Sequence, residues 1–191
     1  MEPLEAWLRA VVETPGLTAL DLAGARAGLL EDALRAVPVV AEYDGPIVDV
    51  GSGNGSPGIP VAHALPEREV VLLEAESRRC EFLRAWAPVN ARVVRGRAEE
   101  QETDVYGVAL AKALALPPVA AEWCLPLVRP GGAVVLWLGP SADLDLLARV
   151  SAQLGGGPPE EHDGLVLLPK LVPTPPGFPR RSGMARKRPL S

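Results

Sequence analysis

Asp49, Gly51, Gly53, Gly55 and Glu74 are the residues of this chain whose types and spacing suit chemistry on a nucleotide. Around them the sequence reads VDVGSGNGSPGIPVA (48–62), with four glycines in the eight residues from Gly51 to Gly58. Backbone without Cβ atoms reaches positive φ freely and lets a ligand come close, at an entropic cost that a plain linker has no reason to carry. Two frames fit the turn. Gly53-Asn54-Gly55-Ser56-Pro57-Gly58 matches G-x-G-x-x-G, in which a helix N-terminus meets a pyrophosphate, but it begins three residues beyond Val50 and sets Pro57 inside the turn. The other frame, Asp49-Val50-Gly51-Ser52-Gly53-Asn54-Gly55, starts where the apolar run ends and supplies no basic residue for an anion. Asp49 is placed to order turn amides or to meet an amino group of the ligand. Glu74 follows Gly51 by 23 residues and closes the next apolar run, where a carboxylate accepts hydrogen bonds from both hydroxyls of a ribose. It supports a nucleotide in either frame.

The elements that must hold these residues can be read from periodicity. Residues 3–12 and 17–37 carry apolar positions at helical spacing, separated by Pro15-Gly16, with Pro38 closing the second helix. From Gly45 the rhythm changes to strands at 46–50, 69–75, 91–96, 105–113, 133–139 and 164–172. Between them lie helices at 61–65, 77–87, 117–128 and 141–154, with Ser77 and Ser141 as N-caps. Alternation of this kind predicts an α/β fold, a doubly wound, mostly parallel sheet with helices on both faces and a small helical N-terminal segment. The carboxyl ends of strands one, two and four then share a crevice. GGGPPEE (155–161) and the run from Pro173 to Pro179 read as loops.

The net charge of −5 is uneven. Residues 177–191 hold Arg180, Arg181, Arg186, Lys187 and Arg188 and no acid, leaving 14 basic against 24 acidic side chains in residues 1–176. A cationic tail on an acidic body suits a polyanion. Cys80 and Cys124 lack CxxC spacing and read as reduced thiols of a cytoplasmic protein. With only His63 and His162 to join them, no metal set is predicted. No apolar run approaches the roughly 18 residues of a membrane span, and the opening MEPLEAWLRA lacks the pattern of a secretory leader.

The frame from Asp49 to Gly55 resembles the first motif of class I S-adenosylmethionine-dependent methyltransferases, an acid in the first strand followed by G-x-G-x-G. The longer run DVGSGNGSPGIPVAHALPEREVVLLEAESRRCEFLR (49–84) resembles one family among them, the bacterial small-subunit ribosomal RNA guanine-N7 methyltransferases, once called glucose-inhibited division protein B. RGRAEE (95–100), AKA (111–113), EWCLPLVRPGG (122–132) and FPRRSGMARKRPL (178–190) extend the likeness over residues 45–139 and 178–190. The Pro57-Gly58-Ile59-Pro60 extension and the tail are the parts particular to that family.

The resemblance implies a Rossmann-like class I fold divided into an N-terminal helical segment (1–44), an S-adenosylmethionine-binding domain (45–172) and a basic tail (173–191). It implies cofactor contacts at Asp49, Gly51, Gly53, Gly55 and Ser56 in the turn, at Glu74 for the ribose, and at Ala98 and Glu99 around the adenine. Lys112 matches a family arginine beside cofactor and substrate and is the candidate catalytic residue. Ser56 stands where the family carries a bulky apolar residue. The implied activity is methylation of N7 of a guanosine in 16S ribosomal RNA, free or in the small subunit, with Arg180, Arg181, Arg186, Lys187 and Arg188 binding RNA. Guanine N7 has a lone pair and no proton to lose, so alignment and charge placement suffice and no catalytic dyad is needed. Two rivals are a class I methyltransferase with a non-RNA substrate and a non-catalytic relative that binds cofactor or RNA. A nicotinamide dehydrogenase ranks last, for want of the right frame and of a hydride-transfer acid.

Overall fold

The computed structural model describes residues 2–191 and gathers the strands into one sheet. They are β1 (Ile47–Val50), β2 (Val70–Glu74), β3 (Ala91–Arg95), β4 (Tyr106–Lys112), β5 (Val128–Trp137), β6 (Glu160–His162) and β7 (Leu165–Pro169). Their order across the sheet is β3-β2-β1-β4-β5-β7-β6. The first five run parallel, with Ile47 opposite both Val70 and Val108, while β7 runs antiparallel to β5 and to β6. The chain walks outward from β1 to β3, then returns to start β4 on the other side of β1. That reversal opens a crevice beyond the carboxyl ends of β1 and β4, where α/β sheets bind ligands.

Strand pleating sends neighbouring side chains to opposite faces, and both faces are apolar. Val48, Val50, Val71, Leu73, Ala109, Val134 and Leu136 belong to one core, shared with α7 (Pro117–Cys124) and α8 (Leu144–Gln153). Ile47, Val70, Leu72, Val108, Leu110 and Val135 belong to the other, under α1 (Glu2–Glu13), α5 (Gly58–Ala64) and α6 (Ser77–Trp86). Burial on both faces explains why these strands read as unbroken apolar runs rather than alternating ones.

Several boundaries differ from the sequence reading. Residues 17–37 do not form one helix. Asp21 caps a short α2 (Leu22–Ala25), its carboxylate accepting from Gly24 N at 2.8 Å, and the chain then widens into a π-turn over Arg26–Glu31 before α3 (Asp32–Leu34). Pro38 opens α4 (Val37–Val40) instead of closing a helix, because a first-turn proline loses no hydrogen bond. Asp143 caps α8, accepting from Leu146 N at 2.8 Å, in place of Ser141, and Glu76 precedes α6 in place of Ser77. The loop expected over 155–161 contributes the start of β6, which completes an antiparallel hairpin. Residues 178–190 pack on the domain through α9 (Met184–Lys187), whose Ala185 is 1% exposed.

Candidate active site

The glycine turn owes its shape to anchors on both sides. Gly51 N and Ser52 N donate to Leu73 O at 2.8 and 3.1 Å, and Gly55 N donates to Ser52 O at 2.7 Å. Gly51, Gly53 and Gly55 have φ of +73°, +56° and +100°, a region that other residues enter only with strain. Glu74 ties β2 to the turn, its Oε2 accepting from Gly53 N at 2.9 Å and its Oε1 from Glu76 N at 2.8 Å. Asp49 Oδ2 accepts from Gly58 N at 3.0 Å, fixing the start of α5. Gly58 must be glycine here, since a Cβ would stand 2.6 Å from that same oxygen.

The N-terminal segment holds the other side. Trp7 Nε1 donates to Asn54 O at 2.9 Å, Asn54 Nδ2 to Leu17 O at 3.3 Å and Ser56 Oγ to Leu29 O at 2.7 Å. Gly55 faces this segment, where a Cβ would stand 2.5 Å from Ile59 Cδ1 and 3.1 Å from Trp7 Nε1. Gly55 and Ser56, read from sequence as ligand contacts, thus pack and bond on the N-terminal segment.

Beyond the strand ends opens a cavity of about 200 Å³. Its walls are Val50 and Gly51 where β1 ends, Leu73, Glu74 and Ala75 where β2 ends, Gly96 to Glu99 after β3, and Ala113 and Leu114 after β4. Arg79 from α6, Trp123 from α7 and Arg186 from α9 complete them. Of the predicted contacts, Gly51, Glu74, Ala98 and Glu99 therefore share one cavity, while Asp49, Gly53, Gly55 and Ser56 shape the turn behind it. Arg79, Arg97 and Trp123 went unread, and Arg186 was read as an RNA contact of the tail rather than a wall residue. Trp123 lay in a stretch legible only as a core helix, and no local pattern brings the tail back to α7.

Lys112 is turned to the N-terminal segment. Its Nζ donates to Gly28 O, lies 2.6 Å from Asp32 Oδ2 and sits 5.9 Å from the centroid of Trp137, and it does not line the cavity. The π-turn presents Gly28 O and Asp32 to the end of β4, so this ammonium joins the N-terminal segment to the sheet. The tail divides as well. Arg180 makes a two-pronged pair with Glu122, which is 1% exposed, with Arg180 Nε to Glu122 Oε1 at 2.5 Å. The Arg186 guanidinium lies 5.0 Å from the centroid of the Trp123 ring, and Arg181, Arg186, Lys187 and Arg188 are all exposed to solvent. Glu99 accepts from Gly183 N at 3.1 Å, so one of its oxygens holds the tail. His63 lies in α5 and His162 in β6; neither lines the cavity.

Burial pushes the Asp49 carboxyl up to about 7, against the hydrogen bonds from Ser52 and Gly58. With an ordinary value of 3.8 in the unfolded chain, the folded state holds this proton more tightly. Asp49 thus contributes stability that is full below about pH 4 and is lost as pH rises through 7. Asp49→Asn removes that loss while keeping an acceptor for Gly58. Between pH 5 and pH 8 the variant should gain on the parent by about 1 kcal/mol or more in urea denaturation. Parallel pH dependences in the two proteins would clear Asp49 as the source.

The donor set suits a nucleoside. Glu74 offers a buried carboxylate at the wall, and a Cβ on Gly51 would drive into the side chain of Leu114, another wall residue. Among the described residues no group of three or more His, Cys, Asp or Glu side chains is placed to hold a metal ion, and no helix is long and apolar enough to cross a membrane.

Residues 25–152 match the GidB family, described as rRNA small subunit methyltransferase G. The chain belongs to this family. One GidB relative, the ribosomal RNA small subunit methyltransferase G of Rubrobacter xylanophilus, is 39% identical over 170 residues covering 76% of this chain and 65% of that protein. Its counterpart in Salinispora arenicola is 43% identical over 143 residues, covering 66% and 59%. The chain thus spans slightly under two thirds of these relatives' length. The fold is that of class I methyltransferases. A TehB-like SAM-dependent methyltransferase from Corynebacterium glutamicum superposes with a TM-score of 0.58 at 18% identity, covering 78% of this chain and 92% of that one. The T. thermophilus 16S rRNA N2 G1207 methyltransferase (RsmC), solved with AdoMet and guanosine, gives 0.54 at 19%, covering 76% and 39%.

Proposed function

We propose that this GidB-family chain is an S-adenosylmethionine-dependent methyltransferase acting on N7 of a guanosine in 16S ribosomal RNA, in the cytoplasm. The observation that carries the reading is the glycine turn that begins at Asp49 and Gly51 where β1 ends, braced by Glu74 and opening on the cavity at the topological switch point. The bound cofactor supplies a methyl group on a positively charged sulfur, ready for in-line displacement.

The chain's own residues bind and align. Glu74 accepts from the ribose hydroxyls, the bare backbone at Gly51 admits the methionine part, and Ala98 borders the adenine. Neither histidine nor any free carboxylate pair faces the cavity, which suits an acceptor nitrogen with a lone pair and no proton to remove. Lys112 acts through the N-terminal segment, holding the end of β4 against Asp32. Arg181, Lys187 and Arg188 supply the exposed charge for RNA phosphates.

The direct test offers radiolabelled S-adenosylmethionine with small subunits, free 16S RNA or a metabolite panel, the RNA coming from cells lacking the gene. N7-methylguanosine in the RNA bears the reading out. Label in metabolites alone, or cofactor binding without transfer to any acceptor, overturns it. Replacing Arg181, Lys187 and Arg188 together with alanine should lower the slope of log affinity against log salt by about 2, at roughly 0.7 to 0.9 per phosphate contact. An unchanged slope would take these residues out of the RNA interface.

A further inference from the structure

One stretch of the acidic body departs from the rest in charge. Residues 77–97 hold Arg78, Arg79, Arg84, Arg92, Arg95 and Arg97 against a single acid, Glu81, and so carry six of the 14 basic side chains in residues 1–176. They stand on α6, on β3 at one edge of the sheet, and in the turn that follows it. Arg79 is paired with Glu76 at 3.1 Å and Arg92 with Glu69 at 2.7 Å. Arg78, Arg84, Arg95 and Arg97 are exposed, and among the described residues none of these four makes an ion pair. Burial and the charge of Glu74 raise the Cys80 thiol while Arg84 and Arg95 both lower it, which sets a cation of α6 and a cation of β3 near the same residue. Arg79 and Arg97 reach the cavity wall, where Arg186 of the C-terminal strap joins them. The other edge of the sheet is opposite in sign, since β6 and its turn expose Glu160, Glu161 and Asp163.

A strand at a sheet edge often carries charge to keep other chains from pairing with it. That accounts for Arg92 and Arg95 on β3 but not for Arg78 and Arg84, which lie on a helix. Four unpaired guanidiniums suit a partner that brings several anions at regular spacing, as a nucleic-acid backbone does. A body with 24 acids against 14 bases repels such a backbone, and this edge and the strap are where its cations gather. We propose that α6 and β3 form a second RNA surface, so that RNA held by the strap also runs from the cavity mouth along the β3 edge, away from β6. The inference rests on the reading of the chain as an RNA methyltransferase, and it gives that reading a direction.

Binding of the full chain to a 16S RNA transcript and to small subunits from cells lacking the gene, measured against salt, tests it. The triple variant Arg78→Gln, Arg84→Gln, Arg95→Gln changes exposed side chains and no wall residue. It should lower the slope of log affinity against log salt by about 2, at roughly 0.7 to 0.9 per phosphate contact, and leave S-adenosylmethionine affinity within about twofold of the parent. Combined with the loss of Arg181, Lys187 and Arg188, the fall should reach about 4 to 5. The two edges lie roughly 30 Å apart across seven strands, beyond a Debye length of about 8 Å at physiological salt. Glu160→Gln, Glu161→Gln, Asp163→Asn should therefore leave RNA affinity nearly unchanged. If the arginine variant keeps the parent's slope while the strap variant lowers it, RNA stays on the strap, and the inference falls with the reading intact. Self-association of the arginine variant at that unchanged slope would assign these residues to protection of the edge. If the β6 variant tightens binding as much as the arginine variant weakens it, net charge decides and there is no second surface. If the parent binds neither the transcript nor the subunits, the RNA reading itself falls.

Discussion

Replacing Glu74 with glutamine is expected to weaken S-adenosylmethionine binding by roughly 10- to 100-fold. The first part of that loss is direct. Hydrogen bonds to an ionised acceptor are worth about 1.5–3 kcal/mol, and a neutral amide keeps only one accepting oxygen for two ribose hydroxyls. The second part comes through the turn. Both carboxylate oxygens already accept from backbone, Oε2 from Gly53 N and Oε1 from Glu76 N. Whichever way the glutamine amide faces, its NH₂ meets one of those donors and pushes it away. Displacing Gly53 disturbs the loop that must lie against the methionine part, whereas displacing Glu76 disturbs the entry to α6. Calorimetric titration gives the affinity, and a urea curve gives the stability cost, about 1–2 kcal/mol. Affinity within twofold of the parent would mean that Glu74 braces the turn and touches no ligand.

Glu74 also marks how far the sequence could be read. Its place at the end of an apolar run and its distance from Gly51 are local features, and local features survive folding. The strands, their parallel pairing and the crevice all follow from runs such as IVDV and VVLLE, whose burial on both faces leaves no alternation to misread. What could not be read depends on contacts between distant segments. Nothing near Trp7 announces that its indole will hold Asn54 O, 47 residues away. Lys112 appears in sequence as a free cation at a strand end. Only the π-turn, which no propensity signals, brings Gly28 O and Asp32 within its reach. The tail misled for a related reason. Five cations without acids read as one patch for a polyanion, yet the buried carboxylate of Glu122 claims Arg180 and the guanidinium of Arg186 lies over the indole of Trp123. Both partners sit on α7, in a stretch that reads only as an apolar helix.

The pair that seats this strap should be the most costly single contact to break. Glu122 is 1% exposed, and Arg180 meets both of its oxygens while also donating to Arg188 O at 2.9 Å. Arg180→Met leaves that carboxylate buried and unpaired, a defect worth about 3–5 kcal/mol in a dry interior. The arginine side chain is 24% exposed, so water can enter once it is gone, and about 2–3 kcal/mol is expected in urea denaturation. The strap should also loosen, because Arg188 O loses its donor and Gly183 is left with Glu99 alone to hold it. Limited trypsin digestion should then cut at Arg181 or Lys187 well before the body of the domain. The double variant Glu122→Leu, Arg180→Met separates charge from packing. With no carboxylate left to desolvate, it should recover most of the lost stability. Its strap has lost the anchoring pair all the same and should stay sensitive to trypsin. If Arg180→Met is instead as stable and as resistant as the parent, the pair contributes no net energy, and Ala185, Phe178 and Leu190 hold the strap by apolar contact alone.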